Sequence, residues 1–444
     1  MLNYWGYQMK SRVIVTAVLL SSIAAVAPAG AADLGGDCCA DLEERVAELE
    51  ATTARKGNRV VSLTVYGKVN EALQYWDDGF EQNIYQVTND TSRTRFGMKG
   101  KAKISNDLYA GYKIEIGIRT ASQKKLTQNN DDAGADLDLR HSEWTIGSKT
   151  YGSLTMGEAS MAHDGITQIQ TAHIKHFANP DIIDAVGDFQ VRESGTGNNV
   201  ENWNNLAMVF EPGEGSRGNL IRYDTPTLAG FKFSAHWGED DIWGVGLRFA
   251  QHLGDFKVAA GVGYGEATEH DEECTADPTR SGSVNIRDAS CQELGTSASV
   301  MHVPTGLFVT GAYGIRWDDS RAAILKANGL APDDNVYFYH IQAGIEQKWF
   351  SLGKTTVFGG YQERDIGAPI NDKSGKLFTS ASNGATITDV SMQMWEIGIN
   401  QHIKAAAMDM YVHYKNYDAD VKTASGKVNT EPFQTVIMGS TIKF

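Results

Sequence analysis

The chain has 444 residues, with 46 Gly against 9 Pro, 16 Phe, 17 Tyr, 9 Trp and a formal net charge of −15. This composition favours many short strands, and the acidic balance argues against nucleic acid as a partner. The length admits either two or three ordinary domains or one large β-barrel. The mean hydropathy of −0.33 does not separate soluble from membrane proteins, because a transmembrane barrel places only every second strand residue in lipid.

The first segment with a clear pattern is an export signal. Lys10 and Arg12 precede a short apolar run, residues 13–27, and small residues follow at 29–31. This order is typical of a cleaved secretory signal peptide, and the run is shorter than the ~20 residues that a spanning helix needs. We predict that residues 1–31 form the signal peptide. Residues 1–8 do not fit its basic region, so Met9 is an alternative start.

Residues 32–59 predict a short amphipathic helix on the periplasmic side. Leu42, Val46 and Leu49 recur at helical spacing among charged residues. The apolar stripe is too brief to stabilise an isolated helix. The segment therefore packs on a partner, forms a small bundle with copies of itself, or stays a solvated linker.

From Val60 onward the hydrophobic pattern has a period of two, which predicts β-strands. In the stretch from Arg93 to Ile104 one face is apolar and the other is basic. The same alternation recurs in 108–119, 231–237, 243–249, 256–264, 307–317 and 395–399. Aromatic residues gather at the strand ends, as in the two girdles of a membrane barrel.

The gaps between strands alternate between tight and long. Tight gaps such as 253–255 and 304–306 alternate with long polar ones such as 266–293 and 364–389. This alternation predicts a sixteen-stranded antiparallel transmembrane β-barrel over residues 60–444, with short periplasmic turns and long outer loops. A soluble β-sandwich is the alternative, but it gives no reason for every second gap to be minimal.

The chain ends in the alternating strand "TVIMGSTIKF", with Phe444 as its last residue. A barrel in lipid must close, because the bilayer offers no hydrogen bonds to an open edge. We therefore predict that this strand pairs with Val60–Val69. The terminal Phe also resembles the assembly signal that the barrel-insertion machinery recognises in outer-membrane proteins. An ordinary edge strand that happens to end in Phe is the alternative.

Four features together resemble the alphaproteobacterial general porins: the segments Asp41–Gly79, Thr91–Ile116 and Gly218–Trp243, and the Phe terminus. The resemblance implies a homotrimeric barrel in the bacterial outer membrane, in contact with lipid and lipopolysaccharide. It implies passive diffusion of ions and small hydrophilic solutes, with one long loop folded into the lumen. A substrate-selective channel and a surface adhesin are the alternative functions.

A barrel of this width needs a constriction to be selective. The predicted basic wall lies on the lumen face of the second strand and consists of Arg93, Arg95, Lys99, Lys101 and Lys103. The predicted constriction loop is the insertion after the fifth strand, whose acidic residues are Asp164, Asp181, Asp184 and Asp188. Facing charges of opposite sign would create a transverse field. Alternatively, these side chains are only a solvated lumen wall.

Other chemistry is weak in this sequence. Cys274 and Cys291 bracket a polar stretch and predict a loop disulfide in an oxidising compartment, with two reduced thiols as the alternative. Cys38 and Cys39 have no assigned role. The histidines lack H-E-x-x-H spacing and no G-x-S-x-G occurs. We expect no metal, no cofactor and no enzymatic activity.

Overall fold

The computed structural model describes residues 60–208, 211–238, 241–268, 290–333, 335–371 and 376–444. The predicted signal peptide, the predicted helix over 32–59, Cys38, Cys39 and Cys274 lie outside the described residues. Within those ranges, no helix is both long and apolar enough to cross a bilayer.

The described residues form one large sheet, two short helices and two small hairpins. The helices are α1 (Trp203–Ala207) and α2 (Asp319–Ala327). The strands are β1 (Thr64–Asp77), β2 (Gln82–Thr88), β3 (Arg95–Lys103), β4 (Leu108–Arg119), β5 (Asp136–Ser148), β6 (Gly152–Ser160), β7 (Gln190–Arg192), β8 (Asn199–Asn202), β9 (Arg217–Asp224), β10 (Phe231–Gly238), β11 (Ile242–Leu253), β12 (Phe256–Ala267), β13 (Cys291–His302), β14 (Leu307–Asp318), β15 (Asn335–Phe350), β16 (Gly353–Gly367), β17 (Ile370–Asn371), β18 (Lys376–Leu377), β19 (Ile387–Ile403), β20 (Met408–Thr423), β21 (Gly426–Val428) and β22 (Phe433–Lys443).

The large sheet is a closed antiparallel barrel. It contains eighteen strands, but β2 and β3 pair with successive parts of β1, and β21 and β22 pair with successive parts of β20. We count β2 with β3, and β21 with β22, as one wall position each, so the eighteen strands occupy sixteen positions. Pairing of β1 with β22 closes the ring. The predicted sixteen-stranded antiparallel barrel is confirmed.

The strands alternate between an apolar outer face and an inner face, as the period of two predicts. On β10 the side chains of Phe231, Phe233 and Trp237 are exposed on the outside, whereas Ser234 and His236 are buried on the inside. On β19 the outward residues are Trp395, Ile397 and Ile399. An isolated barrel therefore presents to its surroundings the apolar belt that a bilayer requires.

The closing strands pair in a different register from the predicted one. Gln434–Lys443 pairs with Lys68–Asp77, not with Val60–Val69. The first residues of β1, Thr64–Lys68, pair with β3 instead. Closure of tilted strands requires a fixed stagger, so the first and last strands do not align end to end. The stagger places Phe444 beside Gly67, and the two residues exchange both backbone hydrogen bonds, at 2.9 and 3.1 Å.

We expect deletion of Phe444 to lower the amount of protein that assembles in the outer membrane. The deletion removes the last two backbone hydrogen bonds between β1 and β22. It also removes the ring that covers Gly67, where an added Cβ would lie 2.5 Å from Phe444 Cζ. The measurement is the yield of heat-modifiable protein in outer-membrane fractions, with Phe444→Tyr as the control that keeps an aromatic ring. Normal yield after the deletion would contradict this expectation.

Candidate channel constriction

Residues 161–208 and 211–216, which we call the infolded loop, run from β6 into the barrel and along its inner wall. The loop contains β7, β8 and α1. Lumen-facing side chains hold it by hydrogen bonds to its backbone: Arg248 donates to Ala162 O at 2.7 Å, and Asn400 donates to His173 O at 2.9 Å. Gln74 donates to Ala185 O at 2.8 Å. The loop thus contacts the wall from β11 through β19 to β1.

A row of glycines on the inner wall makes room for the loop. At Gly263 an added Cβ would lie 2.4 Å from His163 Cβ, and at Gly295 it would lie 2.0 Å from Gly213 O. Gly246, Gly261, Gly265 and Gly314 have similarly close contacts with the segment. Any larger residue at these positions would push the loop away from β11–β14.

On the opposite side the loop packs through apolar side chains. Phe177 stacks on Tyr411 of β20, with ring centroids 4.6 Å apart and planes 6° apart. A buried apolar cluster joins the loop to the inner faces of β19, β20 and β22, and includes Ile182, Val186, Phe189, Trp203, Val390, Met392, Met394, Tyr417 and Ile437. The loop therefore fills this side of the lumen, and any water-filled passage lies along the charged wall.

Two of the predicted acidic residues bind a lysine outside the predicted basic wall. Lys124, in the turn between β4 and β5, lies 3.0 Å from Asp181 and 2.8 Å from Asp184. Burial opposes ionisation of Asp181, but the charges of Lys124 and Arg364 and the hydrogen bonds from Lys124 and the Ile183 backbone together hold its pKa below the ordinary value. Burial and the Asp181 charge raise the pKa of Asp184 to about 6. This lysine anchors the loop to the β4–β5 connection.

The other two acidic residues lie at the ends of the predicted insertion. The backbone N–H of Asp188 donates to Lys124 O at 2.9 Å. Asp164 lies near the loop entrance, where its carbonyl accepts a hydrogen bond from Arg248 at 2.6 Å. Asp188 therefore contacts Lys124 through the backbone, not through the ammonium group, whereas Asp164 lies beside Arg248 of β11.

The predicted basic ladder divides into two parts. Arg93 binds Asp138 at 2.8 Å, and Arg95 and Arg140 share Glu115 at 3.4 and 2.7 Å. Further along β3, the ammonium groups of Lys99 and Lys101 lie over the rings of Tyr66 and Tyr109, each at 4.9 Å. Lys103 is exposed near the tight turn. We call Arg93, Arg95 and Arg140 the arginine wall. Its three guanidinium groups form ion pairs with only two carboxylates, those of Asp138 and Glu115.

Sequence reasoning missed several partners in the lumen. Glu115 and Arg140 form an ion pair because β4 and β5 are neighbouring strands. The alternation within one strand does not predict which residues of the next strand lie opposite. A second buried group, Glu396, accepts hydrogen bonds from Gln342 at 2.5 Å and from His413 at 2.7 Å. Alternation does place these residues on inner faces, but it carries no signal for their contacts across the barrel.

The closed sixteen-position barrel, its apolar outer face, its charged inner wall and the infolded loop define an outer-membrane diffusion channel. Residues 16–431 match the Gram-negative porin family. The chain belongs to this family, and it forms a non-enzymatic channel for passive diffusion in the bacterial outer membrane. Family, function and location are confirmed at this level.

Solved structures show the same fold. An anion-selective porin from Comamonas acidovorans has 14% identity and a TM-score of 0.52, with 86% of this chain and 100% of that chain covered. In-vitro folded OmpT, an outer membrane protein of Vibrio cholerae, has 12% identity and a TM-score of 0.50, with 88% and 99% covered. A trimer form of the same protein has 13% identity and a TM-score of 0.49, with 87% and 100% covered. No curated protein sequence matches the chain.

Proposed function

We propose that this porin is a general diffusion channel of the alphaproteobacterial type, with a throat between the arginine wall and the infolded loop. The observation that carries the proposal is that the two sides of the lumen differ. Apolar packing closes the side near β19–β22, whereas charged side chains line β3–β5. Ions and small hydrophilic solutes would pass along the charged side.

The charges of this throat suit polar solutes. Three guanidinium groups on two carboxylates leave a local surplus of positive charge, and Asp164 at the loop entrance supplies negative charge. A field between them orders water and favours small dipolar solutes over apolar ones. In this proposal the arginine wall supplies most of the positive charge of the constriction. The sequence alone assigns that charge to the whole basic wall from Arg93 to Lys103.

We also propose that the protein assembles as a homotrimer, because porin homologues form trimers. Its apolar outer face would contact lipid and neighbouring subunits, and its outer loops would contact lipopolysaccharide. The barrel-assembly machinery would recognise the strand that ends at Phe444.

Single-channel conductance of the purified, refolded mature protein in planar bilayers tests the proposal. We expect ohmic steps that occur in groups of three, with no block by sugars or phosphate. Conductance should rise in proportion to salt concentration, because an aqueous passage without a tight binding site does not saturate.

Two outcomes would contradict a general porin. Block by one solute at low concentration would identify a substrate-selective channel. Correctly folded, heat-modifiable barrels without conductance would redirect the function to surface adhesion. Steps that occur singly, with otherwise unchanged behaviour, would contradict only the trimer.

A further inference from the structure

Three side chains from separate parts of the chain meet near the tight-turn end of the lumen. His173 and His176 belong to the infolded loop, and Asp409 lies at the start of β20. Each offers one ligand atom, and these atoms all lie within 4.8 Å of one another. Imidazole nitrogen and carboxylate oxygen are ordinary ligands of Zn²⁺ and related divalent ions.

One of these ligand atoms has no hydrogen-bond partner. Nε2 of His176 is buried and makes no hydrogen bond, although it faces Asp409 Oδ2 at 3.6 Å. His176 as a residue is only 8% exposed. A buried polar atom without a partner is costly, and a metal ion between the imidazole and the carboxylate would satisfy it.

The distances fit a tetrahedral ion. With metal–ligand bonds of about 2.1 Å, the ligand atoms of a tetrahedral site lie about 3.4 Å apart. His176 Nε2 lies 3.6 Å and His173 Nε2 lies 3.2 Å from the same carboxylate oxygen, Asp409 Oδ2. Small side-chain rotations would bring all three atoms into range.

The surroundings hold the His173 backbone and the Asp409 carboxylate in place. The N–H of His173 donates to Glu346 at 2.8 Å, and Asn400 donates to the carbonyl of His173. His402 on β19 contacts Asp409 Oδ1 through Nδ1 at 2.9 Å and so orients the carboxylate. The His173 side chain is 42% exposed, which gives an ion a path from the lumen.

We propose that His173, His176 and Asp409 bind one divalent transition-metal ion, with a fourth position open to water. The ion ties the infolded loop to the barrel wall, and it steadies the constriction without taking part in any reaction. Lys443 now lies 3.3 Å from Asp409 Oδ2, so its ammonium competes with the metal. Its exposed side chain can turn into the lumen when the ion binds.

The test uses the untagged, full mature protein, stripped with a chelator and titrated with Co²⁺. Four-coordinate Co²⁺ absorbs visible light much more strongly than the hydrated ion, so the spectrum reports the geometry. We expect saturable binding of about one Co²⁺ per chain with a tetrahedral spectrum, displaced by excess Zn²⁺. Addition of Zn²⁺ should also reduce current fluctuations of open channels, and EDTA should restore them.

Four variants sharpen the test. His176→Ala and His173→Gln should each weaken binding by more than about tenfold. Lys443→Gln should tighten it by about thirtyfold, the effect of one unit charge on a divalent ion at about 4 Å in water. His302→Ala, at a turn histidine remote from the cluster in sequence, should change nothing. Heat-modifiable migration confirms that each variant is folded.

Absence of saturable Co²⁺ binding to the wild-type protein would overturn the proposal. It would also be overturned if His173→Gln and His176→Ala bound Co²⁺ as the wild type does. Since the wild-type spectrum needs no substitution, the proposal stays testable even if one variant does not assemble. None of these results depends on the solutes that the channel conducts.

Discussion

Replacing both Asp181 and Asp184 with Asn is expected to release the infolded loop, whereas either single replacement has a small effect. The two carboxylates share the Lys124 ammonium. After loss of one aspartate, the other can ionise and take over the contact. After loss of both, a largely buried ammonium lacks its counter-charges, at a cost of about 3–5 kcal/mol. That cost is a large part of ordinary folding stability.

Channel recordings and thermal unfolding together measure this effect. The double variant should show larger current fluctuations and a lower unfolding temperature, and each single variant should resemble the wild type. Lys404→Gln, in an exposed turn, is the control for loss of one surface charge. Additive effects of the two single replacements would contradict a shared anchor, and unchanged ion selectivity and conductance would argue against a role of the loop in the constriction.

The same pair predicts a pH dependence. The pKa of Asp184 is raised to about 6 from its ordinary value of 3.8, so the folded protein binds a proton that the unfolded chain does not. The resulting stability is present below pH 3.8 and is lost as the pH rises through about 6. Unfolding temperatures at pH 5 and pH 8 should therefore differ less in Asp184→Asn than in the wild type. An equal difference in both proteins would contradict the raised pKa.

The barrel could be predicted from the sequence because its wall obeys a local rule. Alternation of Phe231, Lys232 and Phe233 fixes which side faces lipid, whatever the neighbouring strands do. The register of closure is not local. It depends on strand tilt and on the stagger accumulated around sixteen positions, so Phe444 lies beside Gly67 rather than beside the start of β1.

The path of the infolded loop left two signals in the sequence. Val390, Met392 and Met394 make one part of the inner face of β19 apolar, whereas a water-filled lumen favours polar residues there. The glycines of β11–β14 mark the places where a backbone comes close to the wall. Neither signal says which segment fills the space, because that contact joins residues far apart in the chain.

For the charged site, the sequence predicts which way each side chain of one strand faces, but not its partners on other strands. Arg93 and Arg95 lie on the lumen side, as alternation places them. Their carboxylate partners come from β4 and β5, and the anchor of the acidic loop residues comes from the turn at Lys124. Charge pairs between strands depend on register, and register is the quantity that a single sequence leaves open.

Neutralising the arginine wall is expected to shift ion selectivity towards cations more strongly than neutralising Lys101 and Lys103 at the tight-turn end of β3. In the variant with Arg93, Arg95 and Arg140 all replaced by Gln, Glu115 and Asp138 keep their negative charge. One unit charge at about 4 Å in water contributes about 1 kcal/mol, so the anion-to-cation permeability ratio should fall by at least about fivefold. The measurement is the reversal potential in a salt gradient.

The control is the double variant with Lys101→Gln and Lys103→Gln, which removes two charges from β3, compared with three charges in the arginine variant. These ammonium groups lie near the tight turn, where Lys101 covers Tyr109 and Lys103 is exposed, so water screens them and the reversal potential should change little. A larger shift in this control than in the arginine variant would place the charged throat at the tight-turn end of β3. Equal shifts in both would mean that the whole β3 face acts as one solvated wall.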